Sequence, residues 1–363
     1  MIEQKEHFHG SDLEKIEDYY NISKDEIISF SANVNPLGIS PLLRKTLSEK
    51  LDVITSYPDR DYTALRKSIA AYCDCDYKNI LVGNGATELI SLFIQITNPK
   101  NTLLLGPTYS EYERDLRIQG SQIQHYLLKE EDDFRLNIED FTEAISSDTD
   151  FVIICNPNNP TSSVLTTAEL SVILKRCQQT DTYVMVDETY AEFAPDVKEI
   201  SGVSLCESFD NLIVLRGTSK FFASPGLRLG YAITANEYIL REINTNKNPW
   251  MINSLAAVAG ETMFSDQEYI NATRELTNKE RSRMMKLFSD SDKYKTYPSY
   301  GNFMLVKILD KNISSTMLFE KCIRQKLMIR DCSTFESLGD RYIRFCFMKK
   351  EDNQLLADCL LSD

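Results

Sequence analysis

Short apolar segments alternate with longer amphipathic ones along most of the chain, and this order restricts the fold more than any other feature. The segment NILVG (79–83) precedes the helical pattern ATELISLFIQI, and TLLLG (102–106) precedes YSEYERDLRIQ. Further apolar segments continue the series: DFVIICNP (150–157), TYVMVDE (182–188), NLIVLRG (211–217) and LGYAIT (229–234). Short strands that alternate with helices are typical of a mostly parallel sheet covered on both faces. The sequence therefore predicts an α/β fold with a three-layer α/β/α large domain.

A second, smaller domain is indicated by a change of pattern near residue 265. A long charged helical stretch begins there, and short strands and helices are mixed after it, which predicts an α+β arrangement. We expect residues 1–40 to form an N-terminal arm and a segment of the small domain. Residues 41–255 would form the large, ligand-binding domain and residues 256–363 the small C-terminal domain. The length of 363 residues fits two domains better than one.

Composition and charge argue against several classes of partner. The net charge of −14 repels phosphate backbones, so we expect no nucleic-acid partner. The chain has no run of about 18 apolar residues, and its N-terminus is too polar for a signal peptide, so we expect no membrane association and a cytoplasmic location. Nine cysteines are scattered without a CxxC pair, and there are only three histidines. Reduced thiols and no metal site are therefore expected.

The segment VGNGATE places two glycines between the first of these strands and its helix. The backbone N–H groups of Gly85, Ala86 and Thr87 are then placed to hold a phosphate at the helix N-terminus. A dinucleotide fingerprint would need a third glycine, which is missing. A plain tight turn remains the alternative for this segment.

Two further strand ends carry polar residues. In CNPNNPT, prolines fix the backbone around Asn159 and leave its amide as a neutral donor, although ordinary turn chemistry explains the segment equally well. In VMVDETY, Asp187 follows three apolar residues and lies at the buried end of a strand. A desolvated carboxylate is costly unless a cation or a proton donor pairs with it. Tyr190 follows on the same side of the chain.

The segment GTSKFFASPGLRLGY (217–231) contains two isolated cations in an otherwise uncharged stretch. Burial and neighbouring positive charge would lower the pKa of Lys220, which turns a lysine into a nucleophile near neutral pH. Arg228 offers a planar fork suited to a phosphate. The alternative is that Lys220 extends to water and Arg228 pairs with a surface acid.

Taken in chain order, these strand ends supply the groups that pyridoxal 5′-phosphate (PLP) requires. Lys220 would form the Schiff base as the catalytic residue, and Asp187 would keep the ring nitrogen protonated so that the ring accepts electrons. The other expected contacts are with the phosphate (Gly85, Ala86, Thr87, Ser219, Arg228), the 3-oxygen (Asn159, Tyr190) and the ring face (Tyr109).

The motifs NPNNPT, VDETY, SKFFASPGLRLGY, YPD and YIRF resemble those of fold-type I PLP-dependent enzymes of the class I/II aminotransferase superfamily. The resemblance covers essentially the whole chain and points to the branch with histidinol-phosphate aminotransferase and threonine-phosphate decarboxylase. It implies a PLP-dependent transferase fold and a homodimer in which Tyr57 reaches the cofactor phosphate of the neighbouring subunit. It also implies that Arg344 binds the substrate α-carboxylate. Ser162 replaces the glycine that usually follows NPT, but Asn159 stays in register.

Other segments resemble the decarboxylase in particular: HGSD near the N-terminus, FSANVNPLG, NPW and IRDC. By that resemblance the substrate phosphate would meet His9, Asn33 and Arg330. Arg330 and Arg344 each follow apolar residues, as expected of two buried cations that bind a substrate with two anionic ends. The alternative is that one arginine only pairs with an acid in the small domain. The arm departs from the HGGN of that enzyme, because Ser11 and Asp12 follow the glycine.

We expect the chain to decarboxylate a small phosphorylated amino acid, L-threonine O-3-phosphate, to (R)-1-aminopropan-2-yl phosphate for cobamide synthesis. The first alternative is an aminotransferase that acts on a phosphorylated or phosphonylated amine, such as L-histidinol phosphate with 2-oxoglutarate. A non-catalytic PLP-binding regulatory module is the second, although no helix-turn-helix pattern or basic region supports it. The two reactions differ in which bond at the substrate Cα stands perpendicular to the ring, and a sequence does not reveal that angle.

Overall fold

A computed structural model describes Phe8 and residues 10–362 of the protein. The strands in this part are β1 Ile28–Ser29, β2 Ile80–Gly83, β3 Asn101–Gly106, β4 Gln122–Leu127, β5 Phe151–Cys155, β6 Tyr183–Asp187, β7 Leu212–Gly217, β8 Gly230–Ile233, β9 Tyr294–Thr296, β10 Phe303–Ile308, β11 Leu327–Met328, β12 Arg330–Asp331 and β13 Tyr342–Cys346. The α-helices there are α1 Leu13–Tyr20, α2 Pro41–Glu49, α3 Thr63–Cys73, α4 Ala86–Thr97, α5 Ser110–Gln119, α6 Ile138–Ala144, α7 Thr167–Gln179, α8 Val197–Ile200, α9 Glu237–Asn246, α10 Ser254–Met263, α11 Gln267–Ser289, α12 Ser315–Ile323 and α13 Lys350–Leu361.

The large sheet has the strand order β2-β8-β7-β6-β5-β3-β4. All its neighbouring strands are parallel except those that pair with β8, which runs antiparallel to β2 and β7. Every residue of β5 and β7 is buried, as expected for central strands covered on both faces. The predicted α/β fold with a mostly parallel sheet is confirmed.

The edge strand β4 was not predicted from the sequence. Its residues QIQHYL are exposed or half-buried throughout, so it lacks the continuous apolar pattern of the central strands. It pairs in parallel with β3 along its whole length. An edge strand that is partly open to solvent tolerates polar residues, and its sequence therefore carries a weak signal.

Side chains of the large sheet alternate between two hydrophobic cores. Ile153 of β5 belongs to a core with Leu89 and Phe93 of α4, whereas its neighbours Val152 and Ile154 belong to the core on the other face. This alternation follows from the two-residue period of a strand. Helices therefore cover both faces, and the predicted three-layer arrangement is confirmed.

The C-terminal part contains a smaller antiparallel sheet with the order β12-β13-β10-β9, which packs with α11, and α13 packs in turn against α11 and α12. The N-terminal segment joins this part because β1 pairs in parallel with β11. The domain boundaries 1–40, 41–255 and 256–363 stay a prediction. No helix in the described part of the chain is both long and apolar enough to cross a membrane.

Candidate active site

A cavity of about 860 Å³ lies between the carboxyl ends of the large sheet's parallel strands and the small sheet. Ligands bind at this edge in open parallel sheets, because the loops that follow the strands meet there. Most of the residues predicted from the sequence line it: Asn33, Ala86, Thr87, Tyr109, Asn159, Asp187, Tyr190, Ser219, Lys220, Arg228, Arg330 and Arg344.

Three predicted residues are not part of this lining. Gly85 lies directly behind it, as the residue that precedes α4. Tyr57 lies outside the cavity with 80% of its side chain exposed, and its ring packs 4.7 Å from that of Trp250. His9 lies outside the described residues, although its neighbours Phe8 and Gly10 line the cavity.

Asp187 ends strand β6 and is buried. Its Oδ1 accepts hydrogen bonds from the backbone N–H of Thr189 at 2.9 Å and from the Thr189 hydroxyl at 2.6 Å. Its Oδ2 accepts a hydrogen bond from the Tyr112 hydroxyl at 2.5 Å. The sequence predicted that this carboxylate needs a partner, and neutral donors supply it. They hold the carboxylate at the strand end, where it faces the cavity.

Lys220 lies in the loop between β7 and β8, and its Nζ donates to the Ala32 carbonyl at 2.7 Å. Burial lowers the pKa of this lysine to about 8, and the positive charge of Arg344 adds to the effect. A substantial fraction of the amine is therefore neutral near physiological pH, as a nucleophilic lysine requires.

The start of α4 packs tightly against the loop that contains Arg228. Gly85 has φ +84°, and a Cβ atom placed there would lie 2.3 Å from the Arg228 guanidinium. A Cβ atom on Gly230 would likewise lie 2.3 Å from the Ala86 nitrogen. Glycine is required at both positions to bring the helix N-terminus and the arginine together. The helix N–H groups and the guanidinium then form a cationic cradle at one end of the cavity.

On the opposite wall, Arg344 is buried on β13. One guanidinium nitrogen donates to the Asn159 side-chain oxygen and another donates to the Ser31 carbonyl at 2.6 Å. Its Nε has no hydrogen-bond partner within the described residues. A buried donor without a partner is costly, so this atom indicates a place for a ligand oxygen.

Arg330 stands directly opposite Arg344 in the antiparallel β12–β13 pair. It donates to the Phe8 carbonyl and, at 2.9 Å, to the Thr334 hydroxyl. Within Phe8 and residues 10–362, no Asp or Glu oxygen lies within 4.0 Å of either guanidinium. Like charges that face each other across two strands are unfavourable, and an anionic ligand between them offsets the repulsion.

Asn33 and Tyr190 complete the floor of the cavity. The Asn33 amide donates to the Tyr190 hydroxyl at 3.3 Å, while the Asn33 side-chain oxygen is buried without a partner in the described structure. The Tyr190 ring meets Phe303 edge-on at 4.9 Å. Burial raises the pKa of Tyr190, so its hydroxyl stays protonated and can donate to a ligand.

Ser162, the departure from the usual glycine, adopts φ +61°. Its hydroxyl accepts hydrogen bonds from the backbone N–H groups of Tyr300 at 3.1 Å and Gly301 at 2.8 Å. These bonds tie the loop after β5 to the start of the small sheet and offset the cost of a left-handed serine.

Several residues of the site were not predicted from the sequence. Tyr112 donates to Asp187 from α5, and the only sequence signal is its spacing of three residues from Tyr109. Ala32 contributes a backbone carbonyl, which leaves no trace in the residue type. At the outer end, His125 of β4 contacts Glu336 of the loop after β12. This contact joins the two sides of the cavity and depends on residues far apart in the chain.

The residues present fit PLP. Lys220 is a partly neutral amine, Asp187 is a carboxylate at the strand end, and a cationic cradle for phosphate lies at Arg228 and the start of α4. Tyr109 is half-buried and lines the same cavity, and its stacking on the ring stays a prediction. In the described part of the chain, no group of three or more His, Cys, Asp and Glu residues is placed to hold a metal ion.

Comparison with known proteins gives a consistent result. Residues 25–360 match the family described as Aminotransferase class I and II. A protein of Caldanaerobacter subterraneus subsp. tengcongensis, provisionally named a threonine-phosphate decarboxylase, is 35% identical over 91% of this chain and 88% of its own length. The threonine-phosphate decarboxylase of Salmonella typhimurium is 30% identical over 97% and 95%. The histidinol-phosphate aminotransferase of Methanocaldococcus jannaschii is 30% identical over 92% and 88%.

Solved structures carry the same two names. The histidinol-phosphate aminotransferase of Clostridium acetobutylicum has a TM-score of 0.86 with 31% identity. The L-threonine-O-3-phosphate decarboxylase of Porphyromonas gingivalis has a TM-score of 0.81 with 26% identity. Each covers 91% of this chain and 97% of the other. The chain therefore belongs to the class I and II aminotransferase family of PLP-dependent enzymes.

Proposed function

We propose that the protein is a PLP-dependent decarboxylase that acts on L-threonine O-3-phosphate. The observation that carries this proposal is the pair of arginines, Arg330 and Arg344, on one wall of the cavity. They are cross-strand neighbours, and neither has a carboxylate partner within 4.0 Å among the described residues. The similarity to proteins named threonine-phosphate decarboxylase adds support.

The chemistry of the substrate matches this pair. Threonine phosphate carries a carboxylate and a phosphate a few bonds apart, so two neighbouring cations can each bind one anionic group. Arg344, with its unpartnered Nε, would bind the carboxylate. Arg330 and the side-chain amide N–H of Asn33 would face the phosphate, together with His9 of the arm. Histidinol phosphate has a phosphate but no carboxylate, so as an amine donor it would leave one guanidinium without an anion.

PLP, when bound, supplies a ring that accepts the electron pair of a bond broken at the substrate Cα. The chain's own groups prepare that step. Arg344 fixes the direction of the carboxylate, and Asp187 offers a carboxylate for the ring nitrogen. Lys220 is placed to deliver a proton to Cα after carbon dioxide leaves, because its pKa of about 8 suits proton transfer near neutral pH.

We propose further that the enzyme is a cytoplasmic homodimer and that Tyr57 reaches the cofactor phosphate of the neighbouring subunit. Its support is the position of Tyr57, which is 80% exposed on its own chain and whose ring packs against Trp250. An aromatic side chain held at the surface in this way suits a contact with another subunit. Sedimentation equilibrium of the holoenzyme tests the dimer.

The direct test is carbon dioxide release from threonine phosphate by the purified holoenzyme. We expect stoichiometric carbon dioxide and an amino-alcohol phosphate, with no requirement for 2-oxoglutarate. Threonine without its phosphate serves as the control substrate and should react far more slowly. Absence of carbon dioxide with the phosphorylated substrate would contradict the proposal.

The second candidate is an aminotransferase that acts on histidinol phosphate. It is favoured by the relatives and structures of that name, and two arginines also suit the two carboxylates of 2-oxoglutarate. The same preparation should then convert histidinol phosphate and 2-oxoglutarate to glutamate. Glutamate formation without carbon dioxide release from threonine phosphate would establish this candidate instead.

A further inference from the structure

Two cysteine sulfurs lie in contact on the small domain, outside the lining of the active-site cavity. Cys322 is near the end of α12 and Cys359 is near the end of α13, and their Sγ atoms are 3.6 Å apart. Cys322 is 0% exposed and Cys359 is 4% exposed. A disulfide needs about 2.05 Å between the sulfurs, so a small change in the two side chains brings them to bonding distance.

We propose that Cys322 and Cys359 form a dithiol that a peroxide oxidises to an intramolecular disulfide joining α12 to α13. Thirty-six residues separate the two positions along the chain, and the two helices pack against each other. The cross-link would therefore close a long segment of the small domain. Neither cysteine lines the active-site cavity, so the inference is independent of the proposed reaction.

Cys359 is the residue that reacts first. The hydrogen bond with Cys322 lowers the pKa of Cys359, and the charge of Lys321 acts in the same direction. The pKa of Cys322 is raised by that hydrogen bond and by its burial. Cys359 is also the more accessible of the two, because it is 4% exposed whereas Cys322 is 0% exposed, so a small oxidant meets Cys359 first.

The reaction balances with hydrogen peroxide as the oxidant. The Cys359 thiol releases a proton to form the thiolate, which attacks one peroxide oxygen; an S–O bond forms, the O–O bond breaks, and the hydroxide that leaves takes up the proton released by Cys359 and becomes water. The Cys322 sulfur then attacks the sulfenic sulfur; the S–S bond forms, the S–O bond breaks, and the Cys322 proton leaves with that oxygen as water. Overall, two thiols and one peroxide give one disulfide and two waters.

The test treats the holoenzyme with hydrogen peroxide, alkylates the remaining thiols and maps the peptides by mass spectrometry without reduction. We expect a cross-linked peptide containing Cys322 and Cys359, the loss of two titratable thiols, and a rise in Tm because the cross-link restricts the unfolded chain. Dithiothreitol should reverse all three changes. Two results would overturn the proposal: disulfides that join other cysteines, or a Cys359 thiol that is still free for alkylation after the peroxide treatment.

Two variants separate this chemistry from general thiol oxidation. In Cys322→Ser, which preserves the size of the side chain, peroxide should convert Cys359 to a sulfenic acid that dimedone traps, and no cross-link should form. Cys177→Ser removes an equally buried thiol from α7 in the large domain and should leave the cross-link unchanged. If Cys322→Ser prevents dimedone labelling at Cys359 and the wild type forms no cross-link, the two sulfurs do not act together.

Discussion

The two walls of the cavity differ in how far their charged groups are paired within the protein. On the large-sheet wall, the Asp187 carboxylate accepts three hydrogen bonds from Thr189 and Tyr112. On the small-sheet wall, Arg330 and Arg344 face each other across two strands and have no carboxylate within 4.0 Å in the described part of the chain. The first wall is nearly complete in the protein alone, whereas the second is left for an anionic ligand to complete.

This difference separates two roles. A group that must hold a cofactor through many turnovers benefits from being oriented in advance by its neighbours. A group that must bind and release a substrate is best left with unsatisfied hydrogen-bonding capacity, such as the Arg344 Nε. Substitutions on the first wall should therefore affect cofactor binding, and those on the second should affect substrate binding and turnover.

The largest effect is expected for Lys220→Ala. The variant should lose the yellow absorbance of covalently bound PLP and lower the decarboxylation rate by roughly 10³-fold, because it removes the amine proposed to deliver the proton to the substrate Cα. Absorbance spectra and carbon dioxide release measure the two effects. Lys175→Ala, at an exposed position of α7, should change neither. A yellow Lys220→Ala protein would rule out the cofactor assignment.

Arg344→Gln tests the second wall. If Arg344 binds the substrate carboxylate as proposed, loss of this buried cation should lower kcat/KM by roughly 10²-fold, which corresponds to about 3 kcal/mol, while PLP binding is retained. Steady-state kinetics and cofactor dialysis separate the two quantities. Arg324→Gln, whose side chain is 75% exposed directly after α12, is the matched control and should behave as wild type. Equal losses of kcat/KM in Arg344→Gln and Arg324→Gln would contradict a specific role of Arg344 in the second wall.

Glu192→Gln tests a second buried carboxyl group, which differs from Asp187 because it has no hydrogen-bond donor in the described structure. Neither carboxyl oxygen of Glu192 has a hydrogen-bond partner in the described structure, and burial raises its pKa from 4.5 to about 7, partly countered by Arg216. The folded state then binds more protons than the unfolded state between these pH values, so stability falls as the pH rises through this range. Above this pH range, the free energy of unfolding of the wild type is lower by roughly 3 kcal/mol, and the glutamine variant does not have this loss.

Urea denaturation at about pH 5 and about pH 8 measures this difference. The variant should gain stability over wild type at the higher pH and much less at the lower pH. The exposed Glu143→Gln variant should show no such dependence. An equal gain at both pH values would mean that the carboxyl of Glu192 does not titrate in this range.

The smallest effect is expected for Tyr112→Phe, which removes one of the three donors to Asp187. A buried carboxylate oxygen without its donor costs about 1–3 kcal/mol, so PLP binding should weaken roughly tenfold while the KM for substrate changes little. Equilibrium dialysis of the apoprotein measures this affinity. Tyr126→Phe on the edge strand β4 is the control. A change in KM with unchanged PLP affinity would place Tyr112 with the second wall.

Most of the first wall could be predicted from the sequence because each of its residues follows a strand with a clear apolar pattern. Asp187 after VMV and Lys220 after NLIVLRG are examples, and parallel strands bring such ends to one edge of the sheet. Strand β4 was missed because an exposed edge strand lacks that pattern. Tyr112 was missed because its role depends on how α5 packs against β6, which no local pattern encodes.

The sequence by itself determined the α/β fold, the family and the set of polar residues at the strand ends, since periodicity and motif spacing are properties of neighbouring residues. The tertiary structure decided which distant groups meet. Arg344 reaches Asn159 across 185 residues, Arg330 faces Arg344 through strand register, and Cys322 meets Cys359 through helix packing. Such contacts depend on how whole elements pack against one another, and therefore on the complete fold.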